Sequence, residues 1–327
     1  MHAIACSRLL LFGVGALLAG PLAVASCGDG ARASADEPGF GTIRDSASGS
    51  DVEGDDGGNA GDSALVDTNL ADAFVWPDCS TQPSAAPTTA ISDIWAANAG
   101  APAEVWVPGV YVTAISKNGC VAGESCQIYV QSDLAPATLA AGAHKAIKVF
   151  VSALAATHFT GVHVGDQVDL LGFGWRYNLR GQNEILLEVN LALPGCAKKV
   201  GTGTVTPIPG ATLSDFSVVG YESTYGPLLV RIDGVSGTTT ANLAETFGLV
   251  PSADGGFVDA GGGPITSLSP FFLSGATFTT PMLVSHKHLF GSITGIYGLF
   301  MIGNDAGPAT KYLEVYPRSM ADLTVTQ

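Results

Sequence analysis

From residue 74 to the end, the chain consists of short β-forming runs separated by turn residues, and almost none of it follows helical periodicity for three full turns. Runs rich in Val, Ile, Tyr, Phe and Thr and bounded by Gly, Asn and Asp are typical of strands. The first set comprises Ala103–Ser116, Cys126–Ser132, Lys145–Val151, Gln167–Gly174 and Glu184–Leu191. The second set comprises Pro227–Val235, Glu245–Val250, Ser269–Leu273, Thr280–Val284, His288–Phe300 and Tyr312–Tyr316.

This pattern predicts an all-β protein with two tandem, small, five-stranded barrels. Roughly five strands per unit suit closed barrels, which leave no unpaired strand edge. We expect the first barrel at residues 74–199, a linker at 200–212 and the second β-domain at 213–327. The alternative is an immunoglobulin-like sandwich, which requires about seven strands per unit and a buried Cys–Trp–Cys core.

Much of the acidity lies before the predicted barrels. The formal net charge is −15, and residues 28–73 hold eleven carboxylates against Arg32 and Arg44, a net of −9. This segment is rich in Gly, Ala, Ser and Asp, so it buries too little apolar surface to fold. Its Asp-x-Asx spacings do not complete a calcium-binding loop. We therefore expect residues 27–73 to be a disordered acidic tether, spanning roughly 35–40 Å by chain statistics.

The first 26 residues have the form of an export signal. Arg8 precedes an apolar stretch from Leu9 to Val24, which Pro21 interrupts. The sequence Val24-Ala25-Ser26-Cys27 resembles the lipobox of bacterial lipoproteins. That resemblance implies that Cys27 carries the lipid and becomes the mature N-terminus, with the membrane as a partner through this anchor. Because residue 28 is Gly and not Asp, the outer membrane is the expected location; the alternative is an ordinary secretory signal.

Three strings in the first unit carry a fold resemblance. Val105–Ala114, Gln127–Gln131 and Val164–Gly172 resemble strands of the oligonucleotide/oligosaccharide-binding (OB) folds that accompany secreted bacterial nucleases. In the second unit, Tyr221-Glu222 and Leu228–Val235 resemble a stretch that often follows such a module. The resemblance implies two OB-like barrels. The catalytic domain of those nucleases, with its metal-site motifs, has no counterpart here, so the resemblance implies no activity.

Four cysteines remain after Cys6 and Cys27 are set aside, and an exported chain meets an oxidising environment. Four cysteines allow three pairings. Cys120 and Cys126 flank a short segment directly after the Asn118-Gly119 turn, whereas Cys79 and Cys196 bracket the first barrel. We predict the bonds Cys120–Cys126 and Cys79–Cys196. A zinc site is the alternative, but the C-x5-C spacing and the lack of a nearby His argue against it.

One loop of the first barrel has the residues of a ligand platform. Trp175 and Tyr177 are two residues apart, so in a strand both side chains point to one face. The other candidate ligand-binding residues are Lys117, Arg176, Arg180, Gln182 and Asn183. Aromatic rings, guanidinium groups and amides suit a glycan or a single-stranded nucleic acid. The alternative is that Trp175 and Tyr177 pack in the core or pin the mouth of the barrel.

Charge limits where a polyanion binds. Residues 117–199 hold seven cationic and six acidic side chains, a net of +1, while residues 200–327 carry −5. Any contact with a polyanion therefore has to use the first barrel.

No catalytic constellation is present in the sequence. G-x-S-x-G, H-E-x-x-H and P-loop motifs are all lacking, and no metal or cofactor is expected. We predict a non-enzymatic, membrane-anchored binding module of the cell envelope. Two alternatives stay open: a structural lipoprotein whose partner is another envelope protein, and an accessory subunit of a secreted phosphoesterase or nuclease.

Overall fold

The computed structural model describes residues 75–97, 101–116, 119–177, 183–239, 247–251, 266–269, 271–272, 287–302 and 310–326. All of them belong to the unit formed by residues 55–327. Strands dominate, as the sequence predicts, and they form two sheets.

Six strands make the first sheet. They are β1 (Ala103–Ile115), β2 (Cys126–Gln131), β3 (Ala146–Val151), β4 (Asp166–Tyr177), β5 (Glu184–Val189) and β6 (Cys196–Thr202). Two short α-helices accompany them, α1 (Ile91–Ala96) and α2 (Leu139–Gly142), and a 3-10 helix spans Ala156–Phe159. The first five strands agree closely with the first set of β-forming runs.

The first five strands close into a barrel. Their order is β1-β2-β3-β5-β4, and β1 also pairs with β4 to complete the ring. The β3–β5 pair is parallel, and the other pairs around the ring are antiparallel. The register of β1 shifts between Val107 and Val110, where Gly109 has φ +65°. This left-handed conformation favours Gly, so the Pro108-Gly109 pair marks the bulge at which β1 bends around the barrel.

Alternate residues of each strand point into the barrel. Ile128 and Val130 of β2, Ile147 and Val149 of β3, and Ile185 and Leu187 of β5 all belong to one buried apolar cluster. Trp95 of α1 and Phe159 of the 3-10 helix also belong to it. The residues between these positions along each strand therefore lie on the outer surface of the barrel.

Seven strands form the second sheet, which we call the second module together with its short helices. They are β7 (Ile208–Ala211), β8 (Leu229–Thr239), β9 (Phe247–Pro251), β10 (Thr266–Leu268), β11 (Lys287–Ile302), β12 (Thr310–Tyr316) and β13 (Leu323–Val325). Helix α3 (Val218–Gly220) continues into a π-helical turn at Tyr221–Tyr225, and 3-10 turns span Leu213–Asp215 and Met320–Asp322.

The strand order in this sheet is β13-β11-β12-β10-β9-β8-β7, with a further β11–β8 pair. As in the barrel, one pair of inner strands, β10 and β12, is parallel. The core of the module includes Ile232, Phe290 and Tyr297. Parts of the connections between β8, β9, β10, β11 and β12 lie outside the described residues, as does the expected run Thr280–Val284.

The segment expected to link the two units contains strand residues at both ends. Strand β6 extends to Thr202 and pairs with β4, and β7 begins at Ile208 and pairs with β8. Lys198 and Lys199 interrupt the apolar alternation of β6. Only the pairing with β4 identifies β6 as a strand, because a charged edge strand has no apolar pattern of its own.

The second module packs directly on the barrel. Gly226 lies at the junction with φ +50°, and a β-carbon there would come within 2.5 Å of the Trp95 ring. Only Gly fits such a close approach in this backbone conformation. Thr206 N donates to Leu134 O over 2.7 Å, and His144 N donates to Thr224 O over 2.8 Å.

Candidate functional site

The two aromatic residues of the predicted platform lie at the end of β4 and share one face of it. The rings of Trp175 and Tyr177 meet edge to face, with their centroids 5.3 Å apart. Tyr177 is buried, with 5% of its surface exposed, whereas Trp175 is half-buried. Trp175 therefore presents part of its indole to solvent, and Tyr177 supports it from the side. The accessible Trp175 ring fits the ligand-platform interpretation, and the buried Tyr177 ring fits the alternative, in which these aromatics pack against the barrel.

A carboxylate fixes the orientation of the indole. Trp175 Nε1 donates to Glu188 Oε2 over 3.0 Å, and Asn190 Nδ2 donates to Glu188 Oε1 over 2.7 Å. Glu188 lies on the outer face of β5, next to β4. Burial raises the pKa of Glu188 above its ordinary value, and the hydrogen bonds from Asn190 and Trp175 only partly oppose this shift. The sequence analysis missed this residue, although the period of two in β5 places it on the same face as Trp175 in the neighbouring strand.

Arg176 points to the opposite side of the strand from the two aromatics. Its Nη1 donates to Asn183 Oδ1 over 3.0 Å and to the backbone oxygen of Glu222 over 3.1 Å. Arg176 and Asn183 therefore form a pair that connects the barrel to the second module. The remaining predicted platform residues, Lys117, Arg180 and Gln182, lie outside the described residues.

A buried ionic cluster lies on the outer face of the barrel. Lys148 Nζ of β3 and Glu184 Oε2 of β5 are 2.7 Å apart, and both side chains are less than a tenth exposed. Tyr221 of the second module donates its hydroxyl to Glu184 Oε1 over 2.6 Å. Burial, together with the charge of Glu184, raises the pKa of Tyr221 well above its ordinary value, so it stays a hydrogen-bond donor. Sequence reasoning treated Lys148 only as part of the charge balance.

Both predicted disulfide bonds are present. Cys79 and Cys196 are joined with their α-carbons 5.9 Å apart, and Cys120 and Cys126 with theirs 5.2 Å apart. The longer bond lies in a small buried cluster with Trp106 and Leu171, on the outside of β1 and β4. It ties the segment before α1 to β6. Cys27, the expected site of lipid attachment, lies outside the described residues.

Within the described ranges, no three His, Cys, Asp or Glu side chains converge to hold a metal ion. The same residues contain no helix long and apolar enough to cross a bilayer. The geometry around Trp175 offers an aromatic surface, an amide and a buried carboxylate, which are groups that can contact a ligand.

Comparison with known proteins finds no matching protein-family model and no matching curated protein.

Proposed function

We propose that this chain is a lipid-anchored, non-catalytic protein of the bacterial envelope that binds carbohydrate through the outer surface of its barrel at Trp175. The observation that carries the proposal is the half-exposed indole, held in one orientation by Glu188 at 3.0 Å and by the edge of the Tyr177 ring. A fixed, partly exposed aromatic ring stacks on the apolar face of a sugar ring at little cost in side-chain entropy.

The strand order supports an OB-like fold for the barrel. OB-folds are five-stranded Greek-key barrels that bind oligosaccharides and oligonucleotides. The ring β1-β2-β3-β5-β4, with its parallel β3–β5 pair, agrees with the resemblance of the motifs. Strands β8, β9, β10, β12 and β11 pair in a similar order, with β10 and β12 parallel, and on this order alone we extend the OB-like assignment to the second module.

Charge favours a glycan over a single-stranded nucleic acid. The ionisable group nearest to the indole is a carboxylate, Glu188, which repels phosphates when it is ionised. Arg176, beside the indole on β4, donates to Asn183 and to the backbone of Glu222, and Lys148 is paired with Glu184. On β6, which also pairs with β4, Lys198 donates to the Ser80 backbone and Lys199 is paired with Asp166. A nucleic acid would need several cations available for its phosphates, because these contacts supply most of its affinity.

The ligand site is tested by changing Trp175 to Ala. We expect retention of the protein on an array of neutral bacterial glycans to fall at least tenfold, which corresponds to about 1.4 kcal/mol. Trp76→Ala is the matched control, because Trp76 is also half-buried and its ring packs on that of His158, with the centroids 4.5 Å apart. If Trp175→Ala, Trp76→Ala and the unchanged protein are retained equally on the glycans, the ligand site at Trp175 is contradicted.

The anchor is tested separately. Residues 1–26 are the proposed signal peptide, Cys27 the lipidated residue and 27–73 the tether. We expect Cys27→Ser to move the protein from the outer-membrane fraction to the soluble fraction, because the acyl chains that hold it there are lost. A protein that stays in the membrane fraction after this change would contradict lipidation at Cys27.

A further inference from the structure

The outer face of β2, β3 and β5 carries polar and aromatic side chains, yet it is buried. We call it the covered face, and we define it by Gln127, Tyr129, Gln131, Lys148, Phe150 and Glu184. Each of these residues is between 0% and 8% exposed. They alternate with the residues of the barrel interior, so the barrel core does not account for their burial.

The second module supplies the cover. Tyr129 packs in one apolar cluster with Leu229, Ile296 and Tyr316, and the ring of Phe272 meets the Tyr129 ring edge to face at 5.2 Å. Further along the covered face, the Tyr221 hydroxyl donates to Glu184. Leu229 N and Gln131 Oε1 also lie 3.4 Å apart. Contacts from β8, β11, β12 and the turn at Tyr221–Tyr225 therefore close this side of the barrel.

The composition of the covered face differs from that of a permanent interface. Such interfaces resemble a divided hydrophobic core and are depleted of charged groups. Four of these six side chains are amides or ions. The other outward-facing residues of the three strands are Ala146, Leu186 and Glu188, which are also buried. Several of the polar side chains are satisfied within the face itself: the Tyr129 hydroxyl donates to Gln127 Oε1 over 2.6 Å, and Lys148 donates to Glu184 over 2.7 Å. A face with internal partners tolerates water when its cover is removed, because few polar groups are left unpaired.

We propose that the second module is a built-in occupant of a ligand-binding face, and that it keeps this face closed until the two modules separate. The ligand that the bared face fits is a neutral oligosaccharide. The charges of Lys148 and Glu184 balance, two amides offer donors and acceptors for hydroxyl groups, and Tyr129 and Phe150 provide aromatic surface. The choice of ligand class rests on the proposed carbohydrate-binding function, whereas the closure rests on the packing alone.

The closure is tested by hydroxyl-radical footprinting of the unchanged full-length protein. We expect Tyr129 to be protected as strongly as Tyr297, which is fully buried in the core of the second module. Tyr225, a half-buried residue on the same turn as Tyr221, is the reference for an accessible ring. Oxidation of Tyr129 at the rate of Tyr225 would overturn the proposal without any variant being needed.

The role of the second module is tested by Phe272→Ala, which removes the ring that packs on Tyr129. We expect several-fold faster oxidation of Tyr129 while Tyr297 stays protected. Phe216→Ala is the matched control, because Phe216 is also buried but packs on Tyr297 within the second module, with ring centroids 4.4 Å apart. An equal rise in Tyr129 oxidation in both variants would show general destabilisation. It would overturn the claim that the second module shields Tyr129 through Phe272.

The ligand is tested by affinity electrophoresis through a gel that contains a soluble neutral β-glucan. We expect Phe272→Ala to be retarded more than the unchanged protein. The gain should survive in the double variant Trp175→Ala/Phe272→Ala, because Phe272 covers Tyr129 on β2 whereas Trp175 lies on β4. Exposure of Tyr129 without a gain in retardation would overturn the ligand assignment. A failure of the proposed Trp175 site gives a different result. In that case Trp175→Ala alone does not change the mobility of the closed protein in the gel, which contradicts the proposed function but not the closure.

Discussion

At the scale of single residues, Glu188 sets the chemistry around Trp175. Its two oxygens accept from the indole and from Asn190 at 3.0 and 2.7 Å, so both are occupied by neutral donors. Neither donor compensates fully for the loss of water around the buried carboxylate, and the pKa is raised for that reason. The indole therefore lies beside a carboxyl that ionises at a higher pH than an ordinary Glu.

This arrangement predicts a titration that tryptophan fluorescence reports. We expect the emission of Trp175 to change with a midpoint above 4.5, the ordinary value for Glu. The carboxyl of Glu188 is protonated in the folded and unfolded states well below that pH. As the pH rises through the folded pKa, the buried group has to ionise, so the stability that its protonated form contributes is lost.

Two variants isolate the titrating pair. Trp175→Phe removes the reporter while the other tryptophans stay in place, and Glu188→Gln removes the titrating group but keeps an oxygen that accepts from the indole. The titration should disappear in both. A Trp175 signal with its midpoint at or below 4.5 would contradict the raised pKa of Glu188.

At the scale of elements, the two disulfide bonds constrain very different lengths of chain. The Cys120–Cys126 bond closes a loop between β1 and β2, with a sequence separation of 6. The Cys79–Cys196 bond has a separation of 117 and joins the segment before α1 to the start of β6. Cross-linking distant residues restricts the unfolded chain more, so the longer bond should contribute more to stability.

We therefore expect unequal effects when the bonds are removed. Loop-closure entropy gives a loss of about 5 kcal/mol in the free energy of unfolding for Cys79→Ala/Cys196→Ala and of about 2 kcal/mol for Cys120→Ala/Cys126→Ala. Urea unfolding of the two double variants at one pH measures both. Equal losses, or a larger loss for the short loop, would contradict this ranking. Peptide mapping of the unreduced protein checks the pairing itself.

At the scale of the whole molecule, polar contacts join the barrel to the second module at defined points. Tyr221 donates to Glu184, and Arg176 donates to the backbone of Glu222, the next residue in the chain. Within the second module, Lys311 of β12 is hydrogen-bonded to the Glu222 side chain, which holds the turn at Tyr221–Tyr225 against the sheet. Because hydrogen bonds depend on direction, these contacts fix how the second module is oriented on the covered face more narrowly than apolar packing alone would.

The Tyr221 contact yields a prediction for stability. Changing Tyr221 to Phe keeps the ring but leaves the buried Glu184 carboxylate with one donor fewer. We expect a loss of about 1–3 kcal/mol in the free energy of unfolding. Tyr225→Phe is the control, because its half-buried hydroxyl makes no hydrogen bond among the described residues. Thermal and urea unfolding of both variants measure the difference, and equal stability of the two would contradict a role for the Tyr221 hydroxyl.

The sequence by itself determined the strands of the barrel, because alternation and turn residues are local signals. The predicted run Ala103–Ser116 is strand β1 (Ala103–Ile115), and Cys126–Ser132 is strand β2 (Cys126–Gln131). The cysteine pairing was equally accessible, since a short segment after a turn favours closure of the Cys120–Cys126 loop. Strand β10 is Thr266–Leu268, earlier than the predicted run, and pairing with β9 and β12 defines it.

Only the tertiary structure decided what each surface meets. A period of two places Gln127, Lys148 and Glu184 together on the outside of the barrel, and polar residues outside a barrel are expected to be solvated. They are buried because the second module packs over them, and no local pattern encodes the docking of one sheet on another. The same holds for Arg176 and Trp175. They are adjacent in the sequence, but the strand directs their side chains to opposite faces, where they meet different partners.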